Sequence, residues 1–300
     1  MSITIDEKLI KGINIDKKKV IKIQDAGTLN ILWEEVKPID YLYIENVDES
    51  DCELSVTTYT SKTLPPSDKY TNKVEFSTDK ETWTTWNFDT ANTLIIPIGG
   101  KVYLRNNSGV FSYYGTDGYY YMTSIKTTMK CNVGGNINTL LNYNEEILDI
   151  SDKRSCFRRL FVGAKIVDAS KLVMPATTLS QYCYADFFVG NSSLIAPPEL
   201  PAVNLAEYCY YNFFRNCTSL VNSPELPATT LAESCYRELF YGCSKLNNIT
   251  VYANDISATN CTNDWLSGVS STGTFNNCGS AIYIKNSASG IPTGWTVVKN

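Results

Sequence analysis

The chain has 300 residues, a formal net charge of −5 and no histidine. This length allows about two domains with full-sized cores, and the acidic balance gives no reason to expect nucleic acid as a partner. The lack of histidine excludes Ser-His-Asp and Cys-His catalytic arrangements, and with no Cys-x-x-Cys pair it also argues against a zinc site. No apolar run approaches the ~20 residues of a membrane span, and no phosphate loop or dinucleotide motif is present. We therefore expect no membrane insertion and no cofactor.

The first segment, residues 1–36, alternates short apolar runs with charged residues. The pattern allows residues 20–23 and 29–33 to pair as a small hairpin, which is too small to fold independently. So many apolar positions need a surface to cover them. We therefore expect residues 1–36 to be an assembly anchor that packs against copies of itself or against another protein. The candidate contact residues are Ile21, Ile23, Ile31 and Trp33.

Residues 37–145 show short alternating segments separated by turn-forming residues. Examples are residues 41–47, 52–59, 94–98 and 101–105. Seven or so strands at this spacing predict a β-sandwich-like domain.

A repeat with a period of 26 residues occupies the chain from about residue 148 to residue 269. The segment that begins at Leu200 returns at Leu226, and an earlier copy begins at Met174. A fixed period of this size predicts a solenoid, in which stacked repeats bury each other's apolar faces.

Within one repeat, Leu205, Cys209, Phe213 and Cys217 are spaced by four residues, which predicts one face of a short helix. The proline-containing residues 221–226 then predict a short strand. Each repeat is thus interpreted as a helical arm plus a strand, and the fold class as α+β. The cysteines of this face are expected to be buried thiols, with disulfides or a metal site as less favoured alternatives. The expected buried columns contain Cys183, Cys209, Cys235, Cys261, Leu179, Leu205, Leu231, Phe187, Phe213 and Leu239.

Two stretches of the repeat resemble the BspA-like leucine-rich repeats. They are Cys-Tyr-x-x-Phe-Phe-x-x-Cys-Thr-Ser-Leu at residues 209–220 and Pro-Glu-Leu-Pro-Ala-Thr-Thr-Leu at residues 224–231. The likeness covers about half of the chain. It implies a short leucine-rich-repeat solenoid over residues 146–300, with degenerate end copies and a C-terminal cap. Proteins of this family occur on the surface of gut bacteria and in the virions of their phages, and the family is associated with adhesion rather than with a common catalytic site.

The resemblance implies a non-enzymatic binding protein. The sequence begins at Met1 without the basic-then-apolar order of an export signal. We therefore expect a phage virion protein, such as a fibre, a spike or a head or tail decoration, rather than the alternative, a bacterial cell-surface adhesin. The expected partners are other virion proteins through residues 1–36, further copies of the chain, and a host-surface glycan or protein.

A carbohydrate-active enzyme is a third interpretation. Glu199 recurs as Glu225 and Glu207 recurs as Glu233, and a glycosidase needs two carboxyl groups at a defined separation. The repeat alone produces this alignment, which favours solvated faces. The chain also contains 20 tyrosines, whose rings can stack on sugars or anchor interfaces, although most are expected in the core.

Overall fold

A computed structural model describes residues 14–15, 18–22, 32–35, 40–60, 74–86, 93–106, 111–114 and 120–299 of the protein. The chain divides into two compact units, Met1–Asp40 and Tyr41–Asn300.

The first unit contains a three-stranded antiparallel sheet. Its strands are β1 (Asn14–Ile15), β2 (Lys18–Lys22) and β3 (Leu32–Glu35), and β2 pairs with both neighbours. Val20 lies opposite Trp33, so the predicted pairing of these two runs is confirmed. Ile23 and Ile31 lie outside the described residues, as do the side-chain surroundings of Ile21 and Trp33. The anchor role of residues 1–36 therefore stays a prediction.

The second unit begins with two sheets, which are formed by strands lying between Leu42 and Val173. These strands are β4 (Leu42–Asn46), β5 (Cys52–Thr60), β6 (Glu75–Ser77), β7 (Thr84–Thr85), β8 (Thr93–Ile96), β9 (Lys101–Arg105), β10 (Tyr113–Tyr114), β11 (Tyr120–Thr127), β12 (Cys131–Asn136) and β13 (Ile166–Val173). One sheet has the order β10-β11-β5-β8 and is antiparallel throughout. The other has the order β13-β12-β4-β9-β6-β7, and only its β12–β13 pair is parallel.

Both sheets contribute side chains to one hydrophobic core. Alternation along β4 turns Leu42 and Ile44 inward and Tyr43 outward, as the period of two in a strand requires. The predicted β-sandwich-like arrangement of residues 37–145 stays a prediction.

The repeats continue directly from these sheets. Strand β12 pairs in parallel with β13, which belongs to the first repeat. The backbone N–H of Ile125 in β11 donates to the carbonyl of Leu160 at 2.6 Å, and the Ser124 hydroxyl donates to the carbonyl of Arg159, also at 2.6 Å. The first turn of the solenoid is therefore covered by paired backbone. Since Tyr41–Asn300 is one compact unit, the division between residues 145 and 146 stays a prediction.

A parallel sheet forms one side of the later repeats. Its strands, in spatial order, are β14 (Asn222–Leu226), β15 (Asn248–Val251), β16 (Gly273–Asn277) and β17 (Trp295–Lys299). Ile249, Phe275 and Val297 lie in register on successive strands. The solenoid predicted from the 26-residue period is thus present as a β-solenoid.

The helical arms predicted for the repeats are wrong. Each arm is a run of tight turns in which every fourth residue has a positive φ, as at Tyr208 (55°), Asn212 (56°) and Asn216 (61°). An α-helix cannot contain such residues, because the left-handed conformation reverses its winding. Among the described residues the only helix is a 3₁₀ helix at Ile137–Leu140. The described part of the chain is therefore nearly all β, and the α+β class is corrected.

The hydrogen bonds of an arm show how the turns stack. The N–H of Cys209 donates within the arm to the carbonyl of Ala206 at 3.2 Å, whereas the next N–H, of Tyr210, donates to Cys235 in the following repeat at 3.1 Å. Such alternation satisfies the backbone both along the arm and between repeats. Successive arms therefore lie directly above one another.

The core positions of the arms agree with the predicted columns. Two residues in every four point inward, so that Cys209 with Tyr210 and Phe213 with Phe214 are buried. The exception is Leu205, which is only half-buried because it lies at the corner where the extended segment turns into the arm. The predicted residues that are buried are Cys183, Cys209, Cys235, Cys261, Leu179, Leu231, Phe187, Phe213 and Leu239.

Candidate binding surface on the arms

Polar and aromatic side chains on the outer side of successive arms contact one another across the repeats at several points. We call this surface the arm face. It consists of Arg154, Arg158, Arg159, Tyr182, Asp186, Tyr208, Tyr211, Asn212, Arg215, Arg237, Glu238 and Tyr241. The chain has six arginines, and five of them belong to the arm face.

Two tyrosines of the arm face occupy a backbone position that disfavours them. Tyr182 and Tyr208 have φ angles of 58° and 55°, and the equivalent positions of other repeats carry Ser155, Ser234 and Asn260. The left-handed conformation costs an L-residue about 1–2 kcal/mol. The two rings stack with centroids 4.6 Å apart and planes at 7°. This stack of half-buried rings offsets only part of the backbone cost at the two positions, and it holds the rings in fixed positions.

A charged ladder runs beside the tyrosines. Asp186 is 6% exposed, and its carboxylate accepts hydrogen bonds from Arg158 Nε at 3.2 Å and from Asn212 Nδ2 at 2.9 Å. Two repeats further on, the Glu238 carboxylate pairs with the guanidinium groups of Arg215 and Arg237. The carboxylates hold the arginine side chains in fixed positions at the surface.

Each of three arginines also lies over a tyrosine ring of a neighbouring repeat. The guanidinium carbon is 5.0 Å from the ring centroid for Arg158 over Tyr182, and 4.4 Å for Arg215 over Tyr241. The third pair is Arg237 over Tyr211, at 5.7 Å. Burial raises the pKa of the Tyr182 phenol, and the charge on the nearby Glu207 adds to the effect. The phenol therefore remains a hydrogen-bond donor at neutral pH.

The carboxylates considered for catalysis lie in different parts of the repeat. Glu207 begins an arm and accepts a hydrogen bond from Gln181 Nε2 at 2.6 Å, whereas Glu225 lies on β14 and accepts one from the Tyr252 hydroxyl at 3.2 Å. Glu199 and Glu233 are exposed. Within the described ranges, no group of three or more His, Cys, Asp or Glu side chains is placed to hold a metal ion.

A cavity of about 300 Å³ lies near the C-terminal end of the solenoid. Its lining includes Ala288, Pro292 and Asp264, which follows Asp186 and Glu238 in the same column of positive-φ residues.

Reasoning from the sequence considered tyrosine rings for stacking on sugars but expected most of them in the core, and it did not predict the paired arginines of the arm face. A compositional signal was available. Five of the six arginines fall between residues 154 and 237, whereas lysine is spread along the chain. Since arginine stacks on rings and pairs with carboxylates better than lysine does, this clustering marks a surface built from stacked and paired side chains.

Comparisons with protein-family models, with curated proteins and with solved structures found no match to this chain. In the part of the chain that the structure describes, no helix combines the length and the apolar character needed to cross a bilayer.

Proposed function

We propose that this chain is a non-enzymatic binding protein of a phage virion and that it attaches to the host cell through the arm face. The observation that carries the proposal is the stacked pair Tyr182–Tyr208 with the paired arginines beside it. Tyrosine and arginine contribute most of the energy in many interfaces. Because stacking already fixes these side chains, little conformational entropy is lost when a ligand binds.

The ligand class that fits this surface is a host-surface glycan bearing carboxylate or phosphate groups. The stacked, half-buried tyrosine rings present apolar edges and phenol hydroxyls to a sugar ring. The guanidinium groups of Arg158 and Arg237 can donate to an anionic group in the bidentate geometry that lysine lacks. Both features occur within neighbouring repeats, so one oligosaccharide could contact a ring and a guanidinium together.

The virion location rests on the resemblance of residues 209–220 and 224–231 to BspA-like repeats, and the leucine-rich-repeat assignment of the solenoid rests on it as well. In this proposal residues 1–36 join the chain to other virion proteins or to further copies of itself. A bacterial cell-surface adhesin would use the same arm face but would be found on cells instead of particles.

Labelling of purified phage particles tests the location. An antibody raised against the full chain should decorate intact particles in electron micrographs at a constant position. Label confined to the surface of uninfected bacteria would overturn the virion proposal and favour the adhesin.

Binding of the purified full chain to cells of the host bacterium tests the role of the arm face. We expect Arg158→Ala and Tyr208→Asn to weaken binding at least tenfold. The matched control Tyr252→Ala, at a half-exposed tyrosine near β15, should bind normally. Purified acidic polysaccharide should compete with the cells for the protein. If protease treatment of the cells abolishes binding and the polysaccharide does not compete, the ligand is a protein. Equal binding by all variants would refute the arm-face site.

A further inference from the structure

Two buried cysteines of the chain lie outside the repeats. Of the ten cysteines, Cys52 and Cys131 are the two that precede the repeats, and they are separated by 79 residues. Their sulfur atoms nevertheless lie 3.5 Å apart, and both side chains are fully buried. A buried thiol needs no sulfur partner, since cysteine packs well as a small hydrophobic residue. The meeting of these two residues therefore requires an explanation of its own.

The position of the pair shows what a covalent bond would join. Cys52 is the first residue of β5 in the four-stranded sheet, and Cys131 is the first residue of β12 in the six-stranded sheet. The neighbouring partners in register are Ile96 on β8 and Asn46 on β4. A bond between the two sulfurs would tie the sheets together at the end where both strands begin.

We propose that Cys52 and Cys131 are a disulfide-forming site that locks the two sheets of the second unit together when the protein meets an oxidant. A disulfide bond is about 2.05 Å long, so the sulfurs must approach by about 1.5 Å. The proposal is independent of the arm face and of the virion assignment.

The chemistry balances with a peroxide as oxidant. The thiolate of one cysteine attacks a peroxide oxygen of H₂O₂, the O–O bond breaks, and a sulfenic acid and hydroxide form. The thiolate of the other cysteine then attacks that sulfur, the S–S bond forms, and a second hydroxide leaves. The two thiol protons neutralise the two hydroxides, so two water molecules are produced. A hydrogen bond from Cys131 lowers the pKa of the Cys52 thiol, and since either sulfur can be the donor, either cysteine can attack first.

Peptide mapping of the full-length protein tests the site. The protein is treated with hydrogen peroxide, alkylated without reduction and digested, and the peptides are identified by mass spectrometry. We expect a cross-linked peptide pair containing Cys52 and Cys131 that is 2 Da lighter than the two reduced peptides together. Free alkylated thiols at both positions, or cross-links that join either residue to a repeat cysteine instead, would overturn the proposal.

A thermal measurement adds a second readout. The oxidised protein should melt several degrees above the reduced protein, because the cross-link closes a long loop in the unfolded chain. Cys52→Ala should abolish this difference, whereas the matched control Cys156→Ala, at a buried repeat cysteine, should retain it. If Cys52→Ala does not fold, the peptide map of the wild-type protein decides the question alone.

Discussion

The ring of Tyr182 lies parallel to the ring of Tyr208, 4.6 Å away, although both residues hold a positive φ. Ring stacking contributes about 0.5–1.5 kcal/mol, which is close to the backbone cost of about 1–2 kcal/mol at one such position. Stability alone therefore gives little reason for tyrosine at these two positions. A role in ligand binding would explain why tyrosine occurs at them.

Replacing Tyr208 by asparagine should separate stability from binding. Asn260 occupies the same position two repeats later, and asparagine tolerates positive φ well. We expect Tyr208→Asn to change the free energy of unfolding by less than about 1 kcal/mol, since the lost stacking is offset by the relieved backbone. Binding to host cells should fall at least tenfold. Urea denaturation and a cell-binding assay measure the two effects.

Phe213→Ala provides the contrast, since this ring is fully buried between Phe187 and Phe214. It should cost about 3–5 kcal/mol. If Tyr208→Asn destabilises the protein as much as Phe213→Ala, then Tyr208 is a structural residue and its binding role is unsupported.

The cysteine column should tolerate a smaller apolar residue but not a charge. Cys209 is fully buried, so Cys209→Ala should leave a small cavity and cost about 1–3 kcal/mol. Cys209→Asp would bury an unpaired carboxylate and should prevent folding. Circular dichroism shows whether each variant folds, and urea denaturation measures the free energy of unfolding of the variant that does. A native disulfide between Cys209 and Cys183 or Cys235, detected by mass spectrometry, would contradict the expectation of buried, reduced thiols.

Stability should fall in alkaline solution. Burial raises the pKa of the Cys183, Cys209 and Cys235 thiols well above the ordinary value of 9.0. Around and above that value the unfolded chain loses thiol protons that the folded chain keeps, so stability is complete well below pH 9.0 and declines as the pH rises through it. Each such thiol should contribute a slope of about 1.4 kcal/mol per pH unit. Buried phenols, for example Tyr210, should add to the decline above about pH 10.

Urea midpoints measured at several values between pH 7.5 and pH 10.5 check this expectation. Cys209→Ala should show a shallower decline than the wild-type protein, because one of the buried thiols is missing. A free energy of unfolding that stays constant over this range would show that the thiols titrate alike in the folded and unfolded states.

The sequence predicts the repeat and its buried columns well, because a 26-residue period must place equivalent side chains at equivalent depths. The four-residue spacing of the apolar positions does not distinguish an α-helix from a run of tight turns. A distinguishing signal is present at Gly163, Gly190, Gly242 and Gly268, which recur at one position of the arm and all have positive φ. Glycine recurring where a helix should continue is typical of turns.

The arm face is harder to predict, because it depends on which side chains of different repeats meet. The contact of Arg237 with Tyr211 joins neighbouring arms, and neither residue recurs in every repeat. Only the stacking order of the arms places them together. The clustering of arginine marks the surface without giving its geometry.

Gly134 and Tyr43 should show a coupled effect on stability. They are partners in register on β12 and β4, and a Cβ at residue 134 would overlap the Tyr43 ring. Gly134→Ala should displace that ring from Lys101, whose ammonium lies 4.7 Å from the ring centroid, and should cost about 1–3 kcal/mol.

Tyr43→Ala removes the obstacle, so adding Gly134→Ala to it should cost nothing or stabilise the strand, since alanine has less backbone entropy to lose than glycine. A double-mutant cycle by urea denaturation measures the coupling. Additive single and double mutants would show that the ring does not rest on the glycine.

Removal of residues 1–36 should separate folding from assembly. Tyr41–Asn300 forms a compact unit with its own core, so the truncated chain should remain soluble, folded and monomeric. The apolar residues of the removed segment, Ile21 and Trp33 among them, are the proposed contact with other virion proteins, because ordering such a segment costs about 1–2 kcal/mol per residue and needs compensating contacts. Phage particles assembled with the truncated chain should therefore lack it, whereas particles assembled with Tyr252→Ala in the full-length chain should contain it at the normal level. Quantitative mass spectrometry of purified particles measures the incorporation, and a truncated chain that is incorporated normally would show that residues 1–36 are not the anchor.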